Sequence, residues 1–261
     1  WSDHMDKLLV PPSGGGIEHI MKISVCIPMY NERAICIDTA RTLCRAMTDF
    51  CARLEYDWEI LFCDDGSTDG SPEILQKAVE EEGLPNVRCV GYEQNRGKGA
   101  AVRTAVLASK GDVVLYTDCD LAYGTDVIAP AVERIVSGEK FVLGSRNLDR
   151  DGYAGYTFLR RIASKTYIKV IAVCAGFRLS DSQCGFKCFD GQTARKIFSL
   201  CTIDGFSFDL EVIKIAQKLG IPLGEMPVHI VNHRESKIHV VSDALRMLRD
   251  IRRIKKHVRE I

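Results

Sequence analysis

The chain reads as a single α/β domain, a mainly parallel sheet flanked by helices, with a C-terminal amphipathic helix. Three observations predict this. Short β-branched runs alternate with longer segments of helical periodicity, the pattern of βαβ units. The predicted strands end in polar residues, at the edge where open α/β sheets bind ligands. The 261 residues, 46% of them hydrophobic, suffice for one core, and no internal repeat or long low-complexity linker divides them.

Residues 1–20 contain Pro11-Pro12 and Gly14-Gly15-Gly16 and lack the basic start and apolar core of a signal peptide. They read as a flexible leader or tag, with the fold starting at Met21 and the main domain spanning 21–239. Ile23 to Ile27 forms the first strand, ended by Pro28. Ala34 to Leu54 carries apolar residues at three- and four-residue spacing and forms a helix, followed by a strand from Trp58 to Cys63. Asp69 or Ser71 caps the next helix, with Pro72 at its first position and its end near Glu82. Val87 to Val90 is the third strand, Gly99 to Ser109 a helix and Asp112 to Thr117 the fourth strand. A helix from Thr125 to Ser137 and a strand from Lys140 to Leu143 continue the alternation. Then the pattern changes: a long helix from Tyr156 to Ala175, a short strand from Phe186 to Phe189, a helix from Phe208 to Leu219 and a strand from Gly224 to Ile230. The segment 240–261 ends the chain as a basic amphipathic helix.

Lys plus Arg equals Asp plus Glu at 35 each, so net charge draws the chain to neither nucleic acid nor membrane. Any basic surface is local. Eleven cysteines, scattered and without paired Cys-x-x-Cys spacing, read as small buried hydrophobes in a reducing compartment. Cys184 and Cys188 lack the further ligands a zinc site needs. No run of about 18 apolar residues predicts a transmembrane helix.

The chemistry sits at the strand ends. Val113, Val114 and Leu115 deliver Asp118 and Asp120, separated by one residue, to the end of the fourth strand. Hard cations such as Mg²⁺ or Mn²⁺ take oxygen ligands, and a phosphate–metal site uses one or two carboxylates with substrate and water completing the shell. Two exposed acids in a turn are the alternative. The first strand leads into Pro28-Met29-Tyr30-Asn31-Glu32 and the second into Asp64-Asp65-Gly66-Ser67-Thr68-Asp69. Acids there suit a nucleobase N–H and ribose hydroxyls, and Asp65-Gly66-Ser67 also reads as a tight turn. Asn95-Arg96-Gly97-Lys98-Gly99 precedes a helix, where backbone N–H groups and the helix N-terminus favour an anion. It has neither the Walker nor the dinucleotide spacing.

Together these motifs resemble the family 2 glycosyltransferases of the GT-A fold. Gly144-Ser145-Arg146, Asp181-Ser182-Gln183-Cys184-Gly185-Phe186-Lys187, Phe206-Ser207-Phe208-Asp209-Leu210-Glu211 and Ser236-Lys237 further resemble the polyprenyl-phosphate branch, especially its dolichyl-phosphate glucosyltransferases and mannose synthases. The resemblance covers Lys22 to His257. It implies transfer of a hexose, glucose from UDP-glucose, to a polyprenyl phosphate such as undecaprenyl or dolichyl phosphate, with inversion and with Mg²⁺ or Mn²⁺. It implies metal ligation by Asp118 and Asp120, and nucleotide-sugar binding by Pro28, Tyr30, Asn31, Glu32, Asp64, Asp65, Lys98 and Asp118. Asp120, Asp181 and Arg146 become catalytic, and Arg146, Arg160, Lys187, Arg234 and Lys237 hold the acceptor phosphate. Where relatives place a further ligand, two residues past Asp120, this chain has Ala122.

A hydroxyl acceptor needs a general base, whereas a lipid phosphate is already ionised, so Asp181 is assigned to orientation rather than proton abstraction. Other readings stay open: a GDP-mannose donor, a hydroxyl acceptor with Asp181 as base, or a nucleotide-sugar-binding regulator without turnover. The terminal helix sets Ala244, Leu248, Ile251, Ile254 and Val258 against Arg246, Arg249, Arg252, Arg253, Lys255, Lys256 and Arg259. It suits either a membrane interface or packing on the domain. The implied location is the cytoplasm, peripheral at the membrane's cytoplasmic face, with no nucleic-acid partner.

Overall fold

The computed structural model describes residues 19–153, 179–232 and 240–261, with single positions 161, 166 and 176. The expected leader up to residue 18 and nearly all of the helix expected over 156–175 lie outside the described residues, as do Arg160, Arg234, Ser236 and Lys237.

Seven strands form one sheet: β1 (Lys22–Met29), β2 (Asp57–Asp65), β3 (Val87–Tyr92), β4 (Val113–Tyr116), β5 (Phe141–Ser145), β6 (Lys187–Asp190) and β7 (Gly224–Pro227). Their spatial order is β3-β2-β1-β4-β6-β5-β7. All pairings are parallel except those of β6, which runs antiparallel to both β4 and β5. Among the described residues the helices are α1 (Cys36–Ala52), α2 (Ser71–Glu82), α3 (Lys98–Ala108), α4 (Ile128–Val136), α5 (Gly191–Leu200), α6 (Phe208–Lys218) and α7 (Val240–Glu260).

Strand alternation sends successive side chains to opposite faces, and here both faces are covered. Val25, Ile27, Ile60 and Phe62 pack with α1, α2 and α4. Cys26, Leu61, Val114 and Tyr116 pack on the other side with α3, α5 and α6. Met247, Ile251, Ile254 and Val258 of α7 are buried in that second core, and Asp250 accepts a hydrogen bond from Ser207 Oγ at the start of α6 (2.6 Å). The apolar side of α7 in the described residues is therefore packed on the domain. Arg249, Arg252, Arg253, Lys255, Lys256 and Arg259 stay exposed.

Several boundaries depart from the sequence reading. Pro28 does not end β1, which continues to Met29. The last β1–β4 pair is Cys26 with Tyr116, and Cys26 O accepts from Thr117 N. Two residues on, Pro28 faces the same edge past the end of β4, where its missing N–H interrupts no ladder. Asp64 and Asp65 belong to β2 itself. The α2 cap is Gly70 (φ +79°), not Asp69 or Ser71, although Asp69 Oδ1 accepts from Ser71 N (3.0 Å). Helix α5 was not expected. Asp190 caps it by accepting from Thr193 N (3.0 Å), and Ala194, Ile197 and Phe198 face the core.

The sheet order reverses at β1: β2 and β3 lie on one side and β4 on the other. The carboxyl ends of β1 and β4 flank this switch point, where open sheets leave a crevice.

Candidate active site

The loops after β1 and β2 are joined at that edge. Asn31 adopts a left-handed conformation (φ +53°). Its N–H donates to Ser67 Oγ (2.9 Å), its side-chain oxygen accepts from Thr68 N (2.8 Å), and Glu32 N donates to Ser71 Oγ (2.9 Å). Asp64 accepts from Ser67 N. Tyr30 stays exposed beside them. Pro28, Tyr30, Asn31, Glu32 and Asp64 thus share one rim.

Asp65 does something the motif did not announce. It is almost fully buried, and its carboxylate accepts from Tyr92 OH (2.6 Å), Asn95 Nδ2 (2.9 Å), Arg96 N (2.9 Å) and Gly97 N (2.9 Å). The backbone N–H groups expected to greet a ligand anion are taken by this internal one. Asp65 thus shapes the loop that carries Lys98. Burial, then Asp65, pushes the Tyr92 hydroxyl well above its ordinary value.

Lys98, the first residue of α3, brings its ammonium to 2.5 Å from Asp118 Oδ1. Burial favours the neutral amine, but Asp118, Asp209 and Asp120 outweigh it and hold the lysine above its ordinary value. Asp120 Oδ1 accepts from Ala122 N (3.1 Å), and Asn232 Nδ2 ties the Asp120 and Leu121 carbonyls (3.1 and 3.0 Å). Gly185 abuts Asp118: a Cβ there would lie 2.3 Å from Asp118 Oδ2. Gly185 N in turn donates to Tyr123 OH (3.3 Å).

No group of three or more His, Cys, Asp or Glu side chains that could hold a metal exists among the described residues. The donor set is therefore two carboxylates on one short loop. Such a pair fits Mg²⁺ or Mn²⁺ only where a diphosphate and water complete the shell. That Asp118 already carries a cation, Lys98, shows that the position favours positive charge.

On the other side of the switch point, Asp181 is fully buried. It accepts from Arg146 Nε (2.6 Å), Arg146 Nη2 (3.0 Å), Arg146 N (3.2 Å) and Gln183 N (3.1 Å). The guanidinium lies over the Tyr153 ring, 5.5 Å from its centroid. Arg146, expected as a phosphate ligand, is thus a bidentate partner of Asp181, with little of it exposed. Glu225, on β7, fixes this segment by accepting from Ser180 N (2.9 Å) and Ser180 Oγ (2.5 Å).

Lys187 also departs from expectation. It is fully buried on β6, donating to Asp209 Oδ1 (2.6 Å) and Cys184 O (2.7 Å). Tyr116 OH donates to the same Asp209 oxygen (2.6 Å). No acceptor phosphate reaches an ammonium so enclosed. Glu211, likewise buried, accepts from Thr202 and Ile203 N (2.8 Å each), while Phe208 is core and Phe206 exposed. The Cys184 thiol is pushed up to about 11 by burial. Sequence reasoning missed the roles of Glu225, Ser180, Tyr92 and Tyr123, whose partners lie 27 to 62 positions away in the chain.

With this geometry in place, comparison with known proteins is informative. The pattern described as glycosyl transferase family 2 matches residues 24–197. A dolichyl-phosphate beta-glucosyltransferase of Dictyostelium discoideum is 32% identical, over 89% of this chain and 73% of its own length. The human protein of that name is 27% identical over 88% of this chain and 74% of its own. Among solved structures, glucosyl-3-phosphoglycerate synthase of Mycobacterium tuberculosis in complex with Mn²⁺, UDP and phosphoglyceric acid superposes with a TM-score of 0.64, at 17% identity, covering 91% of this chain and 78% of that one. At that identity the likeness speaks for the fold.

Proposed function

This chain is a member of glycosyl transferase family 2, and from that premise we propose that it transfers glucose from UDP-glucose to dolichyl phosphate, with inversion at the anomeric carbon. The relatives named dolichyl-phosphate beta-glucosyltransferase support glucose as the sugar and dolichyl phosphate as the acceptor. One observation carries the choice of a phosphate over a hydroxyl acceptor: Asp181 is fully buried, and both its oxygens are held by the Arg146 guanidinium. A carboxylate so enclosed is poorly placed to abstract a proton, and an ionised lipid phosphate requires no such base.

In this reading Pro28, Tyr30, Asn31, Glu32 and Asp64 form the rim for the nucleoside, with Asp65 shaping the neighbouring loop. Asp118 and Asp120 hold Mg²⁺ or Mn²⁺, which when bound neutralises the charge developing on the leaving diphosphate. Lys98 lies beside them to take part of the same charge. A phosphate oxygen of the acceptor forms the new bond to the anomeric carbon as the bond to the UDP oxygen breaks, UDP leaving with the electron pair. The Arg146–Asp181 pair holds the wall opposite the donor. Since Arg146 and Lys187 are engaged by carboxylates, the acceptor phosphate falls to Arg160, Arg234 and Lys237. The exposed basic side of α7 serves for peripheral contact with anionic lipid. No helix among the described residues is long and apolar enough to cross a membrane.

Incubation with a panel of nucleotide sugars, Mg²⁺ or Mn²⁺, and dolichyl or undecaprenyl phosphate tests the proposal. Formation of glucosyl-lipid from UDP-glucose is the expected result. Absence of lipid-linked product with every donor, or product from GDP-mannose alone, overturns it.

A further inference from the structure

We infer that Lys98 is a placeholder cation that occupies Asp118 while the donor site is empty and moves to the diphosphate when nucleotide and divalent cation bind together. This rests on the donor-site reading above and goes beyond it, because it assigns one lysine the coupling between two ligands.

Three features of the site lead to it. The ammonium lies 2.5 Å from Asp118 Oδ1, and Mg²⁺ on that oxygen needs a distance of about 2.0–2.1 Å, so the two like-charged cations compete for it. The second oxygen is crowded on one side, since a Cβ on Gly185 would sit 2.3 Å from Asp118 Oδ2. The lysine backbone is also held: Gly97 (φ +116°) gives its N–H to Asp65 at 2.9 Å, which leaves the flexible stem as the part that moves.

Displacement has unequal consequences with and without nucleotide. The Lys98 side chain is 20% exposed, and the nearby Asp209 oxygen is already taken by Lys187 and Tyr116. Without nucleotide, a metal ion on Asp118 takes the oxygen that Lys98 occupies and leaves the lysine beside like charge, with Asp209 already shared by Lys187 and Tyr116. With nucleotide, the diphosphate supplies one. Metal and nucleotide therefore favour each other's binding, and by linkage the factor is the same in both directions.

Mn²⁺ binding, followed by the paramagnetic resonance signal of the free ion, tests this with and without UDP on wild type, Lys98→Met and Lys98→Arg. Wild type binds Mn²⁺ weakly alone and more tightly with UDP. Lys98→Met binds Mn²⁺ alone about tenfold more tightly than wild type, equivalent to about 1.4 kcal/mol, and gains less from UDP. Lys98→Arg keeps the wild-type pattern. Equal Mn²⁺ affinity of wild type with and without UDP overturns the inference, as does Lys98→Met binding Mn²⁺ no more tightly than wild type. If wild type binds neither Mn²⁺ nor UDP in any combination, the donor-site reading fails and the inference with it, a result distinct from the other two.

Discussion

Replacing Asp181 by Asn separates a structural carboxylate from a catalytic base. Four donors converge on this buried side chain, three of them from Arg146 at 2.6, 3.0 and 3.2 Å. The amide that replaces it offers one acceptor oxygen and turns an NH₂ toward a guanidinium edge that cannot accept. Breaking a buried ion pair by removing one partner costs about 3–5 kcal/mol. Arg146 retains slight exposure, its side chain being 11% accessible, so the lower end, about 3 kcal/mol, is expected. Denaturant unfolding should show a lower midpoint with an unchanged slope. Turnover with UDP-glucose and dolichyl phosphate, measured where the variant remains folded, should fall but persist. The paired change Arg146→Met with Asp181→Leu should recover most of the stability, because an apolar pair leaves no uncompensated charge. A variant Asp181→Asn as stable as wild type yet devoid of turnover would refute the reasoning and restore Asp181 as a base.

Asp120→Ala should abolish metal-dependent turnover while changing unfolding free energy by about 1 kcal/mol, since the carboxylate lies on a loop, where it accepts from Ala122 N. Gly185→Ala should weaken Mn²⁺ binding, measured in the presence of UDP, by about tenfold or more. The new Cβ, 2.3 Å from Asp118 Oδ2, displaces the end of a movable side chain, so the melting temperature should change little. Asp65→Ala leaves Gly97 N, Arg96 N, Asn95 Nδ2 and Tyr92 OH without their acceptor. It should destabilise by at least the about 1–3 kcal/mol of one buried unsatisfied donor and raise KM for the donor. Glu59 is held below its ordinary value: burial opposes this, but Ser24 Oγ (2.6 Å), Lys110 N (2.7 Å) and Arg88 outweigh it. A lowered carboxylate stabilises above its unfolded pKa, about 4.3, and that stability is lost as pH falls through the folded value. Glu59→Gln should therefore flatten the stability–pH curve on the acid side of about pH 4 and lower the neutral plateau; an unchanged acid slope would contradict this.

What the sequence could disclose follows from where each signal resides. Periodicity and β-branched runs are local, so the strands and most helices were legible from Val25 to Ile60 and from Leu115 to Val142. The direction of β6 was not, because Lys187–Asp190 is too short to carry orientation and is set by its antiparallel pairing with both β4 and β5. The acids at the strand ends were visible as residue types. Their partners were not: Asp65 meets Gly97 across 32 positions and Arg146 meets Asp181 across 35, separations at which spacing holds no information.

That division explains why Arg146 and Lys187 are engaged differently from what their residue types suggest. A sequence shows a lysine and an arginine near an expected phosphate and invites the conclusion that they bind it. A buried cation, however, needs a fixed counter-ion of its own, or its desolvation goes uncompensated. Arg146 and Lys187 are buried, and each has such a carboxylate, Asp181 and Asp209. Their charge holds the second half of the sheet edge in shape and is not available to a ligand. Lys98 differs because its partner, Asp118, is partly exposed and lies two residues from a second carboxylate, Asp120. A pair at the rim can be exchanged, whereas a pair in the core cannot. Under the proposed function, the charges that respond to substrate are those at the mouth of the crevice between β1 and β4, where a cation supplied with the diphosphate competes with Lys98 for the same oxygen.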